Sequence, residues 1–431
     1  MDNYIEDILK EKGFINGVYT PWFHKAWFGF DIGKSVYDGY KKCFFDEAYV
    51  KSVLQNCKAM GFDMLKIWLN ESFEGMLFDE NGSVTGVEPT FAKNLRKLLD
   101  MSAELGLSYS LCINAHQEMY YHDEKHLYDK YMRFVYIEEE TEKYIKNWLV
   151  PILQIAKESG CVPLIDLYAE PEADGGGWKV SRGFSWNTMV RYIKLLNKAV
   201  KDFDPRLATT VSSGAVTSTL IQGRYNNIDV DYYGADIYSD GNFDSTKKML
   251  LSKPFMLGEY GVANYATATD DEQTDVVKRF LYNAEKNNVK AAFYWCYGWK
   301  CDSADEMHLL DSKGEFRKVA SYFHFTQLDR EYKRKNISTY DKPEFLAIVS
   351  PKKLRFFGTR GAESYVLERK DDNTYEEIAV FSAENNAEYP LIVRYSDKNG
   401  KQDSVYRIKA IMPDGTEVCS DEATVIRKEG K

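Results

Sequence analysis

Two hydrophobic periods alternate along most of this chain. Short apolar runs closed by breakers read as buried strands; they cover residues 26–30, 64–69, 107–113, 162–168, 208–211, 230–238, 255–258 and 291–295. Between them lie stripes at helical spacing. Val50, Val53, Leu54 and Cys57 form one, opened by Asp46 and closed by Gly61, which are ordinary start and stop signals. Leu95, Leu98, Leu99 and Met101 form another between Pro89 and Gly106, and Val276, Val277, Phe280, Leu281 and Ala284 a third. Further helices are expected over about 138–159 and 186–202. Strand and helix alternate eight times over roughly 300 residues, the repeat of a closed (β/α)8 barrel. An open doubly wound sheet usually carries a Gly-rich phosphate turn after its first strand, and none is present. The expected fold class is α/β, a TIM barrel.

After Leu328 the pattern changes. Residues 329–336 are a charged run that reads as a linker or a last helical turn. From Lys342 short alternating runs take over, at 364–369, 391–395 and 405–410. Asp371-Asp372-Asn373, Lys398-Asn399-Gly400 and Pro413-Asp414-Gly415 divide them, the punctuation of a small all-β sandwich. The expected organisation is a barrel over 1–330, a linker over 331–341 and a sandwich over 342–431.

Composition narrows the function. Of the 431 residues 44% are hydrophobic and 28% charged, enough to bury a large core. A net charge of −10 speaks against a nucleic-acid partner, which wants a clustered basic face. No run of 18 apolar residues exists, so no membrane span is expected. Seven scattered cysteines read as reduced, buried thiols. The first residues lack a basic stretch followed by an apolar core. Cytoplasmic residence is therefore expected, or secretion if a leader was trimmed. His122 and His126 have an i,i+4 spacing without a supporting carboxylate pattern; no metal and no cofactor are assigned.

Two of the strands deliver a carboxylate at their carboxyl ends, where barrel enzymes place their chemistry. Val162-Pro163-Leu164-Ile165-Asp166-Leu167-Tyr168-Ala169 runs into Glu170-Pro171, and Phe255-Met256-Leu257-Gly258 into Glu259-Tyr260-Gly261. Paired carboxylates are the equipment of a glycosidase. One donates a proton to the leaving oxygen, and the other opposes or attacks the developing oxocarbenium ion. Taken alone each is an ordinary acidic residue; the strand context of the pair is what points to chemistry.

With those motifs in place, residues from about 15 to 325 resemble the clan A glycoside hydrolases, nearest to glycoside hydrolase family 5, the cellulase and β-mannanase group. The resemblance implies a retaining β-glycosidase acting on gluco- or manno-configured β-linked saccharides. It makes Glu170 the acid/base and Glu259 the nucleophile. It also implies substrate contacts from His116 after strand three, Tyr238 after strand six and Trp295 after strand eight. Lys66, standing where the family often has Arg, is a further expected substrate contact, and Asp236 stands where the family has His. Asn114 and Trp178 are further candidates for binding sugar. The clearest departure is Ala169, where Asn commonly contacts the hydroxyl at sugar C2. The contact then comes from Asn70, Asn114 or His116, or the substrate differs at C2, or the barrel binds carbohydrate without hydrolysing it. The C-terminal Tyr406-Arg407-Ile408-Lys409-Ala410 run followed by Asp414-Gly415 resembles a fibronectin type III module, implying support and spacing.

Overall fold

The computed structural model describes residues 2–21, 23, 32–115, 129–175, 184–214, 224–238, 253–262, 269–298, 307–311, 313–337, 340–372, 374–384 and 387–427. Two compact units are present, Met1–Phe45 with Asp63–His308, and Asp46–Phe62 with Leu309–Lys431.

The first unit is built on eight parallel strands: β1 (Ile15–Tyr19), β2 (Met64–Trp68), β3 (Ser108–Cys112), β4 (Leu164–Ala169), β5 (Ala208–Ser213), β6 (Tyr232–Ile237), β7 (Phe255–Tyr260) and β8 (Ala291–Tyr294). They close into a barrel in the order β1-β8-β7-β6-β5-β4-β3-β2. Seven of the eight fall where the apolar runs placed them. The exception is the first. Residues 26–30 lie outside the described residues, and Ile15–Tyr19 closes the barrel, pairing with Ala291–Tyr294 and with Met64–Lys66. Its Ile-Asn-Gly-Val-Tyr sequence breaks the apolar run with Asn16 and Gly17. Gly17 is required there, because a Cβ would stand 2.5 Å from the Phe293 ring inside the barrel.

One face of each strand points inward. Ile15 and Tyr19, Met64 and Trp68, Leu164 and Ala169, and Ala291, Phe293 and Trp295 share one buried cluster. Helices alternate with the strands, among them Pro89–Glu104, Trp186–Phe203 and Asp270–Lys286. The last is opened by a capping box between Thr269 and Glu272, which satisfies otherwise orphaned amides of the first turn.

The strict alternation breaks twice, and both breaks matter. On β7 the register runs Ala235↔Leu257 and then Asp236↔Glu259, with the matching shift against β8. Gly258 is thus the extra residue of a bulge. Met256 points into the barrel, and without the bulge Glu259 would point out, since successive side chains alternate. With it, Glu259 turns inward, and Tyr260 turns out to meet Phe280 of the Asp270–Lys286 helix. On β4 the register against β5 shifts between Asp166 and Ala169, which keeps both on the inner face. Bulges next to functional sites re-aim side chains in this way.

A Cβ on Gly258 would collide with the Ser212 side chain and lie 2.5 Å from Asp236 Oδ1. Gly258→Ala is accordingly expected to cost about 1–3 kcal/mol through overpacking, read as a lowered Tm in thermal unfolding. An unchanged Tm would mean that the inner layer has slack at this point.

In the second unit the charged run after Leu328 is helix: Lys318–Lys335 ends at Asn336, whose left-handed backbone caps it. His324 Nδ1 meets the Ala59 carbonyl at 2.6 Å, and the Ala347 amide donates to Asn56 Oδ1 at 2.8 Å. These contacts fasten the Glu47–Ala59 helix into this unit. Beyond lie two antiparallel sheets. One comprises β9 (Glu344–Phe345), β10 (Leu354–Phe357) and β13 (Leu391–Tyr395). The other orders β12 (Thr374–Ser382), β11 (Ser364–Asp371), β14 (Val405–Ile411) and β15 (Glu417–Cys419), with β16 (Ala423–Thr424) on β14. Leu354 and Phe356 of the first sheet share a core with Tyr365, Leu367, Tyr406 and Ile408 of the second, which makes the pair a sandwich.

Candidate active site

Glu170 and Glu259 stand at the carboxyl ends of β4 and β7, on the rim where the barrel fold concentrates chemistry. Glu259 is 5% exposed, and Tyr238 Oη donates to its Oε2 at 2.7 Å. Burial, then the Glu259 carboxylate, pushes the Tyr238 phenol well above its ordinary value. It therefore stays protonated and remains a donor.

Glu170 is half-buried and has φ of 53°, a left-handed conformation costing a side-chain-bearing residue about 1–2 kcal/mol. Its amide donates to the Ser212 carbonyl at 2.8 Å, and its carbonyl accepts from Ala173 at 3.0 Å. The chain thus turns sharply from β4 into the short Pro171–Gly175 helix. Gly214, at the end of β5, makes room: a Cβ there would sit 2.7 Å from the Glu170 carboxyl carbon. Both glutamates act electrostatically on Asp236 and on Tyr238, so they border one space.

Below that space the barrel interior is polar. Lys66, 1% exposed, lies 2.6 Å from Asp166 Oδ2 and donates to Ser212 Oγ at 3.0 Å. Ser212 in turn donates to Asp166 Oδ2 at 2.6 Å. Burial pulls the Lys66 pKa down, but the surrounding carboxylates, Asp166 first, outweigh it and hold the ammonium charged. Lys66 is therefore engaged inside the barrel, supporting the rim through Ser212, whose carbonyl holds the Glu170 amide.

Asn114 is also spent internally. Its Oδ1 accepts from Asn70 at 3.0 Å, Tyr192 at 3.2 Å and Tyr144 at 3.3 Å, and its Nδ2 donates to the Leu167 carbonyl at 3.1 Å. Two of the three candidates for the C2 contact are thus tied to each other. The third, His116, lies outside the described residues, as do Trp178, His122 and His126. Trp295 is present at the rim, 6% exposed, with its ring 5.0 Å from Tyr19 and 5.1 Å from Trp68. Trp186 belongs to packing, its ring against Tyr225 and its Nε1 donating to the Arg224 carbonyl.

Several residues enter that sequence reasoning had not placed. Trp68 donates from Nε1 to Tyr19 Oη at 3.1 Å and joins the aromatic wall. Glu172 is fully buried; Ser213 Oγ and Tyr225 Oη each donate to its Oε1 at 2.5 Å. It pins the end of β5 beside Glu170. Asp166 and Ser212 carry a visible signal, since each is a polar residue on the inward period of an apolar strand. Among the described residues no group of three His, Cys, Asp or Glu is arranged to hold a metal ion, and no helix is long and apolar enough to cross a membrane.

No family model matches the sequence, and no curated protein matches it. Solved structures do match. A β-mannanase from the blue mussel Mytilus edulis is 18% identical, over 68% of this chain and 89% of that one, with a TM-score of 0.51. A β-1,4-D-mannanase from Cryptopygus antarcticus is 18% identical, over 71% and 94%, with a TM-score of 0.51. An exo-β-1,4-mannosidase from Opitutaceae bacterium strain TAV5 is 15% identical, over 76% and 61%, with a TM-score of 0.53. What the chain shares with them is the fold, a (β/α)8 barrel. At these identities the likeness is one of architecture, and the chemistry must be argued from the side chains.

Proposed function

We propose that the protein is a retaining β-glycosidase acting on gluco- or manno-configured β-linked oligo- or polysaccharides. The observation that carries this reading is the inward pair Glu170 and Glu259, one on a strained turn and the other held by the Tyr238 phenol. In the first step Glu259 attacks the anomeric carbon while Glu170 protonates the leaving oxygen. In the second, Glu170 takes a proton from the water that opens the glycosyl ester. Trp295, Tyr238, His116 and Trp178 contact the sugar, while Lys66 and Asn114 act from below by fixing Ser212 and the β4 backbone. The C-terminal sandwich, with its strands in two sheets of three and five, is a fibronectin type III-like support module. The mannan-directed relatives in fold favour manno-configured sugars as the first substrates to try.

A competing reading, a carbohydrate-binding barrel that hydrolyses nothing, draws on Ala169. Its methyl lies in the inner core and offers no hydrogen bond to sugar C2. A panel of aryl β-glycosides and β-linked oligosaccharides separates the two, with the first-formed anomer followed by NMR. The expected result is hydrolysis with the β configuration retained. A first product of inverted configuration would defeat the two-step mechanism, and silence across the whole panel would favour the binding barrel.

A further inference from the structure

Among the described residues, the interior beneath the two glutamates holds more carboxyl groups than cations. Lys66 is paired with Asp166, and Asp236 stands outside that pair. It is 6% exposed, and among the described residues neither of its carboxyl oxygens meets a hydrogen-bond donor. The Gly258 bulge sets Asp236 directly opposite Glu259 on the neighbouring strand, and register partners on parallel strands project from the same face. The lack of a Cβ on Gly258 is what admits Asp236 Oδ1 there. An ionised Asp236 would be a buried charge with two empty acceptors facing another carboxylate, an arrangement that proteins avoid by neutralising the group. A protonated Asp236 has an O–H to give, and the group facing it is an acceptor.

We propose that Asp236 is a positioning residue for the nucleophile: a neutral carboxylic acid whose O–H donates to the Glu259 carboxylate, beside the donor already supplied by Tyr238. Its role in turnover rests on the glycosidase reading of Glu259, whereas its protonation does not. Burial first, then the charges of Glu259 and Glu170, push the Asp236 carboxyl well above the usual range; Asp166 adds to this and Lys66 opposes it. The phenols around it, Tyr19, Tyr225 and Tyr238, are all pushed upward by burial, so they bring no further charge. When a Glu259 oxygen bonds to the anomeric carbon, the leaving oxygen takes the proton of Glu170. Asp236 keeps its own and donates to the ester that forms.

The test is infrared spectroscopy of the full chain without substrate, from acid to alkaline pH. Beside the signal of the acid Glu170, the wild-type minus Asp236→Asn difference spectrum is expected to hold a protonated-carboxyl stretch that persists at neutral pH and moves in Glu259→Gln, where the acceptor has changed. A wild-type minus Asp236→Asn difference spectrum without such a stretch at neutral pH overturns the proposal whatever the enzyme hydrolyses. Should Asp236→Asn fail to fold, the wild-type band and its response to Glu259→Gln still decide. Stability supplies a second readout. A carboxyl whose folded pKa is raised contributes stability present below the ordinary carboxylate range and lost as pH rises through the folded pKa. That decline should flatten in Asp236→Asn; an unflattened decline counts against the assignment. With a substrate in hand, Asp236→Ala is expected to lower kcat/KM by about tenfold to a hundredfold, the worth of a hydrogen bond to a charged group. Asp236→Asn, whose amide still donates, should stay within about threefold, and equal losses in the two variants would overturn the positioning role.

Discussion

Glu259→Ala is expected to abolish turnover, with a loss on the order of 10⁴-fold or more, while the fold survives. Glu259 sits on the inner face of β7 and is held by Tyr238 at 2.7 Å. On the proposed mechanism, removing the side chain takes away the nucleophile and leaves a space of carboxylate size where it would face the anomeric carbon. Azide fits that space and can attack where the glutamate did. Restored activity should therefore yield a glycosyl azide of inverted configuration, seen by NMR. The fold should tolerate the change because the variant removes one of several carboxyl groups crowded in a low-dielectric interior, and like charges there repel. A variant that keeps wild-type turnover, or is rescued to a product of retained configuration, would remove Glu259 from the nucleophile's place.

Glu170→Ala should separate substrates by leaving group. A poor leaving group needs the proton, and general acid catalysis is worth about 10²–10⁴-fold. An activated aryloxide leaves without it, so its first step should barely slow. The measurement is kcat/KM for a series of aryl β-glycosides of increasing leaving-group pKa beside a natural-type oligosaccharide. A steep new dependence on leaving-group pKa is the expected result; equal losses throughout would mean that another residue supplies the proton. The same variant also removes a side chain from a strained backbone position and from the field of Asp236. Its folded state should not suffer, and any rise in Tm would fit the pattern in which a functional residue is held against its local preference.

The sequence shows most of the barrel because buried strands are short apolar runs and the helices between them carry clean stripes. It hides β1 because Asn16 and Gly17 interrupt that run, and Gly17 is chosen by the Phe293 ring, a contact nearly 280 positions away. The two glutamates are legible from the strand ends that carry them. The polar floor is harder to read. Lys66, Asp166, Ser212 and Asp236 lie on four strands, and only the register brings them together. Asn114 shows the converse. A polar residue at a strand end reads as a binding group, yet Tyr144 and Tyr192, each from a different helix, consume its oxygen. Pairwise contacts between distant elements carry that information, and a single chain read in order does not.

The Gly258 bulge has a consequence for how this rim can change over time. A strand assigns its side chains by parity, so moving a residue from one face to the other takes an insertion or deletion rather than a substitution. Removing one residue between Leu257 and Glu259 would turn the glutamate toward the surrounding helices and bring Tyr260 inward. No exchange of side chains at neighbouring positions repairs that, because every later residue on the strand is displaced with it. Loss of activity by such a deletion would be close to irreversible. Transplanting an acidic residue to another strand of a barrel like this one likewise calls for an added residue and the glycine that lets it fit.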